Sequence, residues 1–472
     1  MNPIPLCVDL DGTLCRTDTL VESLLSLLKR QPWVLLALPF WLLAGRAAFK
    51  QRIASSAELN VARLPWRRDL LDWLRVERAA GTRLILCTGA DRAIASACAE
   101  ELGIFDEVLA SDGSINLTGS SKHAALVGRF GERGYDYIGN SSADLPVWTS
   151  ARKALLADAT PGLAAKAAAV AELGAQFPAT PLGFTLWLKA LRVHQWVKNM
   201  LIFLPIALAQ KTAVLALEDT TLGFLAFGLC ASSVYVVNDL LDLESDRAHP
   251  RKSLRPFAAG SLPLTAGLLV AVLLLLLSFA LAAFIAFNFF AVLAGYYCLT
   301  LAYSLKLKRM PIVDVLVLAA LYTLRIIAGG ETAKVTLSFW LLAFSVFLFL
   351  SLGIVKRYAE MGMVKSGAGS TAAGRGYLVD DMPLLRDLGT AAGYGAVLVL
   401  AMYLNSPDSQ LVYHHPRRLW LLPPFVLYWI SRIWLKTHRG LMHDDPIVFA
   451  LKDGVSIMIL AASVAAVVSA SL

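Results

Sequence analysis

The C-terminal part of this chain is a succession of nine apolar segments, at about 199–216, 220–240, 264–286, 289–305, 311–329, 336–355, 388–405, 418–436 and 446–470. Lengths of this order approach or reach the ~20 apolar residues that cross a hydrocarbon core. Backbone in lipid must bond to itself, so segments of this kind are helices. The expectation is an all-α polytopic membrane bundle of nine transmembrane helices. Composition agrees, since 57% of the 472 residues are hydrophobic, against about 45–50% in soluble domains. The formal charge of +8 is modest. It fits Lys- and Arg-rich loops on one membrane face better than nucleic-acid binding. The six cysteines are scattered without a CxxC, which predicts reduced thiols and no zinc site. No signal peptide is expected, because Asp9 and Asp11 interrupt the apolar run that one needs.

Between two long apolar stretches lies NDLLDLESDRAHPRKSLR, Asn238–Arg255, with four acidic and four basic residues. Charge in such a place is costly and marks function. Asn238, Asp242 and Asp246 recur every four residues, and Asp239 lies three before Asp242. On a helix these oxygens share one face. Clustered carboxylates repel unless cations hold them, and Mg²⁺ takes few protein oxygens, completing its shell with water and phosphates. Arg247, Arg251, Lys252 and Arg255 follow, suited to phosphate oxygens.

If the N-terminus is cytoplasmic, every strongly basic loop falls on the cytoplasmic side. These loops carry Arg247 to Arg255, then Lys306, Lys308 and Arg309, then Lys356, Arg357, Lys365, Arg375 and Arg386, then Arg432, Lys436 and Arg439. The opposite loops carry only Lys211, Lys334, Arg417 and Arg418, and this bias sets the orientation. Tyr303, Lys306, Lys356, Arg357 and Glu360 are candidate site residues on that face, with Asp314, Asp380 and Asp381 nearby in sequence and a flexible Gly/Ser stretch at 366–376. Lys198, in the basic approach Trp187–Asn199, is another. Arg325 lies inside the fifth segment, where a charge needs a partner; a structural pair and a ligand contact are equal readings.

The first 156 residues differ in kind. IPLCV at 4–8 reads as a buried strand ending in DLDGTL, Asp9–Leu14. A second apolar strand, Arg83–Cys87, ends in Thr88-Gly89, Lys122 follows, and a third strand, Tyr135–Ile138, ends in GNSSAD, Gly139–Asp144. These four motifs in order resemble the haloacid dehalogenase superfamily. The resemblance implies an α/β Rossmann-like domain with a helical cap and Mg²⁺-dependent phosphatase chemistry. It makes Asp9 the nucleophile, Asp11 the acid/base, Thr88 and Lys122 the phosphate grips, and Asp9, Asp11, Asn140 and Asp144 the metal set. Asn140 stands where the family usually has Asp, which implies weaker metal binding. An inactive scaffold is the alternative. The cap, about 15–80, contains WVLLALPFWLLAG at Trp33–Gly45. It is too short to span a bilayer and reads as an interfacial hairpin with Arg46, Lys50 and Arg52 at its edge, or as an ordinary apolar cap core. Residues 157–186, rich in Ala, Gly and Pro, read as a linker with one weak helix.

NDxxDxxxD at Asn238–Asp246 resembles the UbiA superfamily of membrane prenyltransferases over 187–472. The longer string to Gly260, with HQWVKN before it and YSLKLKRMPIVDV and LRIIAGG after it, is similar to the decaprenyl-phosphate phosphoribosyltransferase branch. After Asp246 no two aspartates stand four apart, so the second DxxxD of ordinary prenyltransferases is missing. The resemblance implies transfer of 5-phosphoribose from phosphoribosyl pyrophosphate to a polyprenyl phosphate. Mg²⁺ would sit on Asn238, Asp239, Asp242 and Asp246, with Asp239 and Asp242 as the core of the catalytic apparatus. The fused phosphatase would dephosphorylate the product at the cytoplasmic (inner) membrane. An aromatic prenyltransferase and a non-catalytic lipid-binding protein are the rivals. An assembly of identical copies is compatible with the sequence.

Overall fold

The computed structural model describes residues 4–178, 183–209, 214–365, 376–406, 413–442 and 445–472. Apart from Gly376, the Gly/Ser stretch expected at 366–376 lies outside them. The chain divides into two compact units. One joins Met1–Leu191 to Tyr235–Ala271, and the other joins Arg192–Val234 to Val272–Leu472.

The first unit is built on a six-stranded parallel sheet. Its strands are β1 (Leu6–Val8), β2 (Leu84–Asp91), β3 (Glu107–Ser111), β4 (Asp136–Gly139), β5 (Lys153–Ala157) and β6 (Glu172–Phe177), in the order β3-β2-β1-β4-β5-β6. Every residue of β1 is buried, as a central strand covered on both faces must be. Between β1 and β2 run α1 (Thr19–Arg30), a 3-10 turn (Pro32–Leu36), α2 (Leu38–Leu43), α3 (Arg46–Ser56) and α4 (Arg68–Ala79). Asp18 caps α1 by accepting from the Leu20 and Val21 amides, and Lys29 and Arg30 close its last turn. The helix α4, expected in the cap, instead buries Leu70, Leu71 and Leu74 in the sheet core, joined there by α5 (Arg92–Leu102). The opposite face holds α6 (Ser120–Phe130), α7 (Leu145–Ser150) and α8 (Pro161–Ala168) through Leu126, Trp148 and Ala167. Strand order reverses at β1, so its carboxyl end opens the crevice where such sheets bind ligands.

The expected linker is largely structured. Thr160 caps α8, whose first residue is Pro161, the arrangement that starts a helix. Strand β6 pairs with β5 from Lys153↔Glu172 to Ala157↔Phe177, and the Phe177 ring meets Trp73 edge-on at 5.6 Å. The sheet domain therefore runs to Phe177. The same unit includes the end of the Val214–Leu241 helix, a short helix Leu243–Arg247 and the start of the Leu264–Ile285 helix. Leu25 of α1 packs among Val236, Leu240, Leu243, Phe257 and Leu264.

The second unit is helical. Among the described residues, seven helices are long and apolar enough to cross a membrane, counting those shared with the first unit. They are Val214–Leu241, Leu264–Ile285, Phe287–Leu305, Val313–Ala333, Phe339–Met363, Val379–Leu404 and Gly454–Ser471. Two of the nine expected spans are not among them. The segment at 199–216, partly outside the described residues, begins in 3-10 geometry, and Leu204–Leu208 with Pro205 in its first turn is only one short helix. Leu422–His438 is 17 residues long with Lys436 and His438 in its last turn. The last expected segment breaks at Asp453, which caps Gly454–Ser471 through the Ser456 amide.

Candidate functional sites

In the sheet domain, the residue after β1 is Asp9, and its amide donates to the Ile138 carbonyl at 3.1 Å. Lys122, buried on α6, reaches across with Nζ 2.8 Å from Asp9 Oδ1 and 2.7 Å from the Tyr137 hydroxyl. Burial pushes the Asp9 carboxyl up to about 6, with Lys122 opposing the rise. Burial by itself would lower the Lys122 ammonium, but Asp9 and Asp144 carry it above its usual value. Asp11 is half-buried, and desolvation, with Asp18 nearby, pushes its carboxyl up to about 7; its Oδ1 accepts at 2.8 Å from the amide of Thr19, the first residue of α1. At neutral pH a carboxyl of that kind is poised to hold a proton, as a general acid must. Thr88 is fully buried at the end region of β2, accepting from the Ala90 amide. The first, second and third motifs and the GNSSAD loop thus meet at the carboxyl ends of β1, β2 and β4.

Gly12 is required there. Its φ is +75°, and a Cβ would lie 2.1 Å from Asn140 Nδ2, so the Asn140 amide rests directly on the Asp9–Thr13 loop. Asp144 accepts from the Tyr137 hydroxyl at 2.8 Å and from the Asn140 and Ser141 amides at 3.1 and 3.0 Å. It is occupied in shaping the loop, which suits an outer position. Among the described residues no three His, Cys, Asp or Glu side chains gather to hold a metal. Asp9, Asp11 and the Asn140 amide nonetheless form an all-oxygen set, and Mg²⁺ accepts one or two carboxylates with water and phosphate oxygens. The residues present fit it.

Two residues here, Lys50 and Arg67, were not expected at this pocket from the sequence. Lys50 of α3 donates to the Gly89 carbonyl at 2.7 Å and to Asn116 Oδ1 at 2.8 Å, and lines a small cavity with Asp11, Asp18 and Asp91. Burial lowers its pKa. Arg67, buried, holds the Thr13 carbonyl at 3.1 Å and Asp158 at 2.8 Å, so a residue of the expected linker braces the nucleophile loop. Their only sequence signal is charge without a local partner.

The acidic string belongs to the same unit. The Val214–Leu241 helix stops at Leu241 and Asp242 opens Leu243–Arg247. The Asp242 amide still bonds to the Asn238 carbonyl at 2.9 Å and the Asp246 amide to the Asp242 carbonyl at 2.8 Å, so the four-residue phase survives the break. Arg255 Nη1 bridges Asp239 at 3.2 Å and Asp246 at 2.6 Å, and Lys29 of α1 holds Asp242 at 3.0 Å. These protein cations answer the repulsion of clustered acids. The oxygen-only set again fits Mg²⁺. Arg247, expected to face phosphate, is turned elsewhere. Its guanidinium meets both oxygens of Glu22 at 3.1 and 2.5 Å, and its Nε donates to the Ala258 carbonyl at 2.9 Å. Lys252 is exposed.

In the helical unit, Arg357 joins several expected residues. Its Nε donates to Asp314, its Nη1 to Glu360 at 2.7 Å and its Nη2 to the Tyr303 hydroxyl at 2.9 Å. Asp314 is fully buried and also accepts from the Tyr377 hydroxyl; its role is to orient Arg357. Ile312, at φ +66°, precedes it, a strained conformation for a β-branched residue. The Ile312 amide is held by the Tyr377 hydroxyl at 2.8 Å. Lys198 and Lys356 converge on one carboxylate, Asp445, at 2.8 and 3.0 Å. Lys306 is exposed. Arg325 finds protein partners inside the helical unit. It donates to Asn199 Oδ1 at 2.8 Å, the Leu321 carbonyl at 2.6 Å and the Tyr296 hydroxyl at 3.0 Å, and lies 4.9 Å from the Tyr296 ring centre.

These features define a membrane-spanning helical protein with an NDxxDxxxD helix and a phosphatase-like α/β domain ahead of it. Residues 199–366 form a UbiA prenyltransferase family domain, and residues 6–148 a haloacid dehalogenase-like hydrolase domain. It is 40% identical over 457 residues to the uncharacterized protein y4nM of Sinorhizobium fredii, covering 96% of this chain and 88% of that one. It is 33% identical over 283 residues to nodulation protein NoeC of Azorhizobium caulinodans, covering 59% of this chain and 91% of that one. It is 39% identical over 182 residues to decaprenyl-phosphate phosphoribosyltransferase of Mycobacterium tuberculosis, covering 38% of this chain and 60% of that one.

Proposed function

We propose that the helical part transfers 5-phosphoribose from phosphoribosyl pyrophosphate to a polyprenyl phosphate, and that the N-terminal domain then removes the 5-phosphate. The first half carries over the activity named for the mycobacterial relative. The observation that carries it for this chain is the cation pair Lys198 and Lys356 sharing the single carboxylate Asp445. Two cations on one anion leave a net positive charge, which suits an acceptor that is itself a phosphate. Asn238, Asp239, Asp242 and Asp246 would hold Mg²⁺, which when bound offsets the charge of the departing diphosphate. Lys252 and Arg255, beside the acidic string, suit the donor's phosphate oxygens; in the helical unit Lys306 and Arg357 suit a phosphate as well, with Glu360 and Tyr303 holding the Arg357 guanidinium in place. The polyprenyl phosphate oxygen attacks C1 as the C1–diphosphate bond breaks, and no general base is needed because that oxygen is already anionic.

In the second step Asp9 attacks the 5-phosphate while Thr88 and Lys122 grip its oxygens and Asp11 protonates the departing ribose oxygen; water, giving its proton to Asp11, then hydrolyses the aspartyl phosphate and releases inorganic phosphate. Mg²⁺ on Asp9, Asp11 and Asn140, with Asp144 outside, offsets phosphoryl charge when bound. The Lys and Arg of the loops after Leu241, Leu305 and Met363 support placement in the cytoplasmic membrane with those loops inside, and the Lys29–Asp242 pair supports placing the N-terminal domain on the same side.

Purified protein in nanodiscs tests this. Supplied separately with phosphoribosyl pyrophosphate and a prenyl diphosphate, it should release diphosphate only from the former. Asp9→Asn should accumulate lipid-linked 5-phosphoribose by mass spectrometry, where wild type yields the dephosphorylated lipid. Consumption of the prenyl diphosphate instead would make it an aromatic prenyltransferase. Identical lipids from wild type and Asp9→Asn would make the N-terminal domain a scaffold.

A further inference from the structure

The insert between β1 and β2 carries a surface that the chemistry of neither site uses. Across the 3-10 turn Pro32–Leu36 and α2, large apolar side chains face outward: Trp33 is 66% exposed, Leu36 78%, Phe40 72% and Leu43 85%. Nothing in α2 is buried, and in the turn only Val34 is. A cap packed as an ordinary core would show the reverse. The stretch Gln31–Ala57 holds no acidic residue, while Arg46, Lys50 and Arg52 follow the apolar run. Arg52 stacks over the Trp41 ring at 5.5 Å. An outward apolar loop with a basic shoulder is the chemistry of a bilayer interface with anionic headgroups. Exposed apolar surface of this kind needs an occupant.

The level of this surface follows from α1. That helix packs Leu25 among Leu240, Leu243 and Leu264, and Lys29 bonds Asp242 at 3.0 Å. Leu241 ends one membrane-crossing helix and Leu264 begins the next. Pro32 is three residues beyond Lys29, a reach of at most ~11 Å. The apolar turn therefore starts beside the ends of two membrane spans.

We propose that residues 32–45 dock the phosphatase-like domain into the bilayer interface, so that its pocket is fed from the membrane by a phosphate monoester carried on a lipid. The next helix, α3, makes the connection. It begins at Arg46 beside the anchor and delivers Lys50 to the Gly89 carbonyl at the pocket. The docking stands on the exposed surface and the position of α1. The lipid-borne substrate rests on the phosphatase reading above.

The test uses the full chain in nanodiscs containing phosphatidylglycerol. With Cys298→Ser removing the exposed cysteine, Leu43→Cys carries an environment-sensitive fluorophore, and Val76→Cys on α4, 66% exposed, is the reference. Docking predicts that the Leu43 probe is blue-shifted and quenched by lipids spin-labelled near the headgroup, while the Val76 probe stays in water. A Leu43 probe that behaves like the Val76 probe overturns the docking. So does one shielded without lipid quenching, which would mean that a second copy or another protein covers the surface. In the second measurement, Leu36→Glu with Phe40→Glu and Leu43→Glu should slow hydrolysis of the lipid-linked 5-phosphoribose by ~10-fold or more, from lost effective concentration. Hydrolysis of soluble ribose 5-phosphate should be unchanged. Equal loss on both substrates, or none on the lipid, overturns the feeding role. If wild type hydrolyses neither substrate, the phosphatase reading falls with it, while the probe still decides the docking.

Discussion

Glu22→Gln should loosen the first helix of the insert from the acidic string. Glu22 is 5% exposed. It accepts from the Thr17 hydroxyl at 2.7 Å and from Arg247 through both carboxylate oxygens, at 2.5 and 3.1 Å. The amide keeps the shape, removes the charge and points an N–H₂ toward a guanidinium. Breaking a buried pair by changing one partner costs ~3–5 kcal/mol, because the other charge stays buried alone. The Arg247 side chain keeps 9% exposure, which places the cost near the lower end, about 3 kcal/mol. That is ~100-fold in an opening equilibrium, at 1.36 kcal/mol per factor of ten. Hydrogen exchange of the full chain reads it out. The α1 amides from Leu25 to Arg30 should lose ~100-fold of protection while those of β2 hold theirs. The apolar double variant Glu22→Met with Arg247→Met should recover most of the loss, since well-packed apolar replacements of buried pairs are often neutral. Unchanged α1 protection in Glu22→Gln, or a double variant as loose as the sum of the singles, would refute the reasoning.

Asp239→Asn and Asp242→Asn should each lower lipid-linked phosphoribose formation at least ~100-fold, because each removes charge from the set proposed to hold Mg²⁺; product counted by mass spectrometry decides. Lys50→Met should raise the KM for lipid-phosphate hydrolysis ~10-fold with little change in kcat, since it lines the pocket without gripping the scissile group; steady-state rates in nanodiscs separate the two constants. Asp9 and Asp11, with carboxyls lifted to about 6 and about 7, bind more protons folded than unfolded. Metal-free stability of the sheet domain should therefore fall as pH rises from about 4 to 7. Mg²⁺ should restore more of it at pH 8 than at pH 5.5, because only the ionised acids bind it. Exchange protection of β1 with and without Mg²⁺ measures this, and an equal effect at both pH values would count against the metal set.

The membrane character, the parallel sheet and the residues gathered at its carboxyl ends were legible in the linear chain. Apolar length and period are local quantities, and a DxDGT turn needs only its own neighbours to close. The phase of Asn238, Asp242 and Asp246 was legible for the same reason, since a helix repeats every few residues. Segment 199–216 was misread because apolar content alone does not distinguish a continuous helix from 3-10 turns and a short helix starting near Pro205. The stretch at 157–186 was misread because Ala, Gly and Pro look like a linker until β5 offers β6 an edge. Partner choice was not legible anywhere. Lys29 meets Asp242 across 213 positions, Arg247 turns to Glu22 across 225, and Arg67 finds Asp158 in what had looked like linker. Whether α2 buries its apolar residues or shows them was equally open, since the same letters serve a core or an interface. A charge or an apolar face acts on whatever packing brings within a few ångströms, and those distances exist only once the chain has folded.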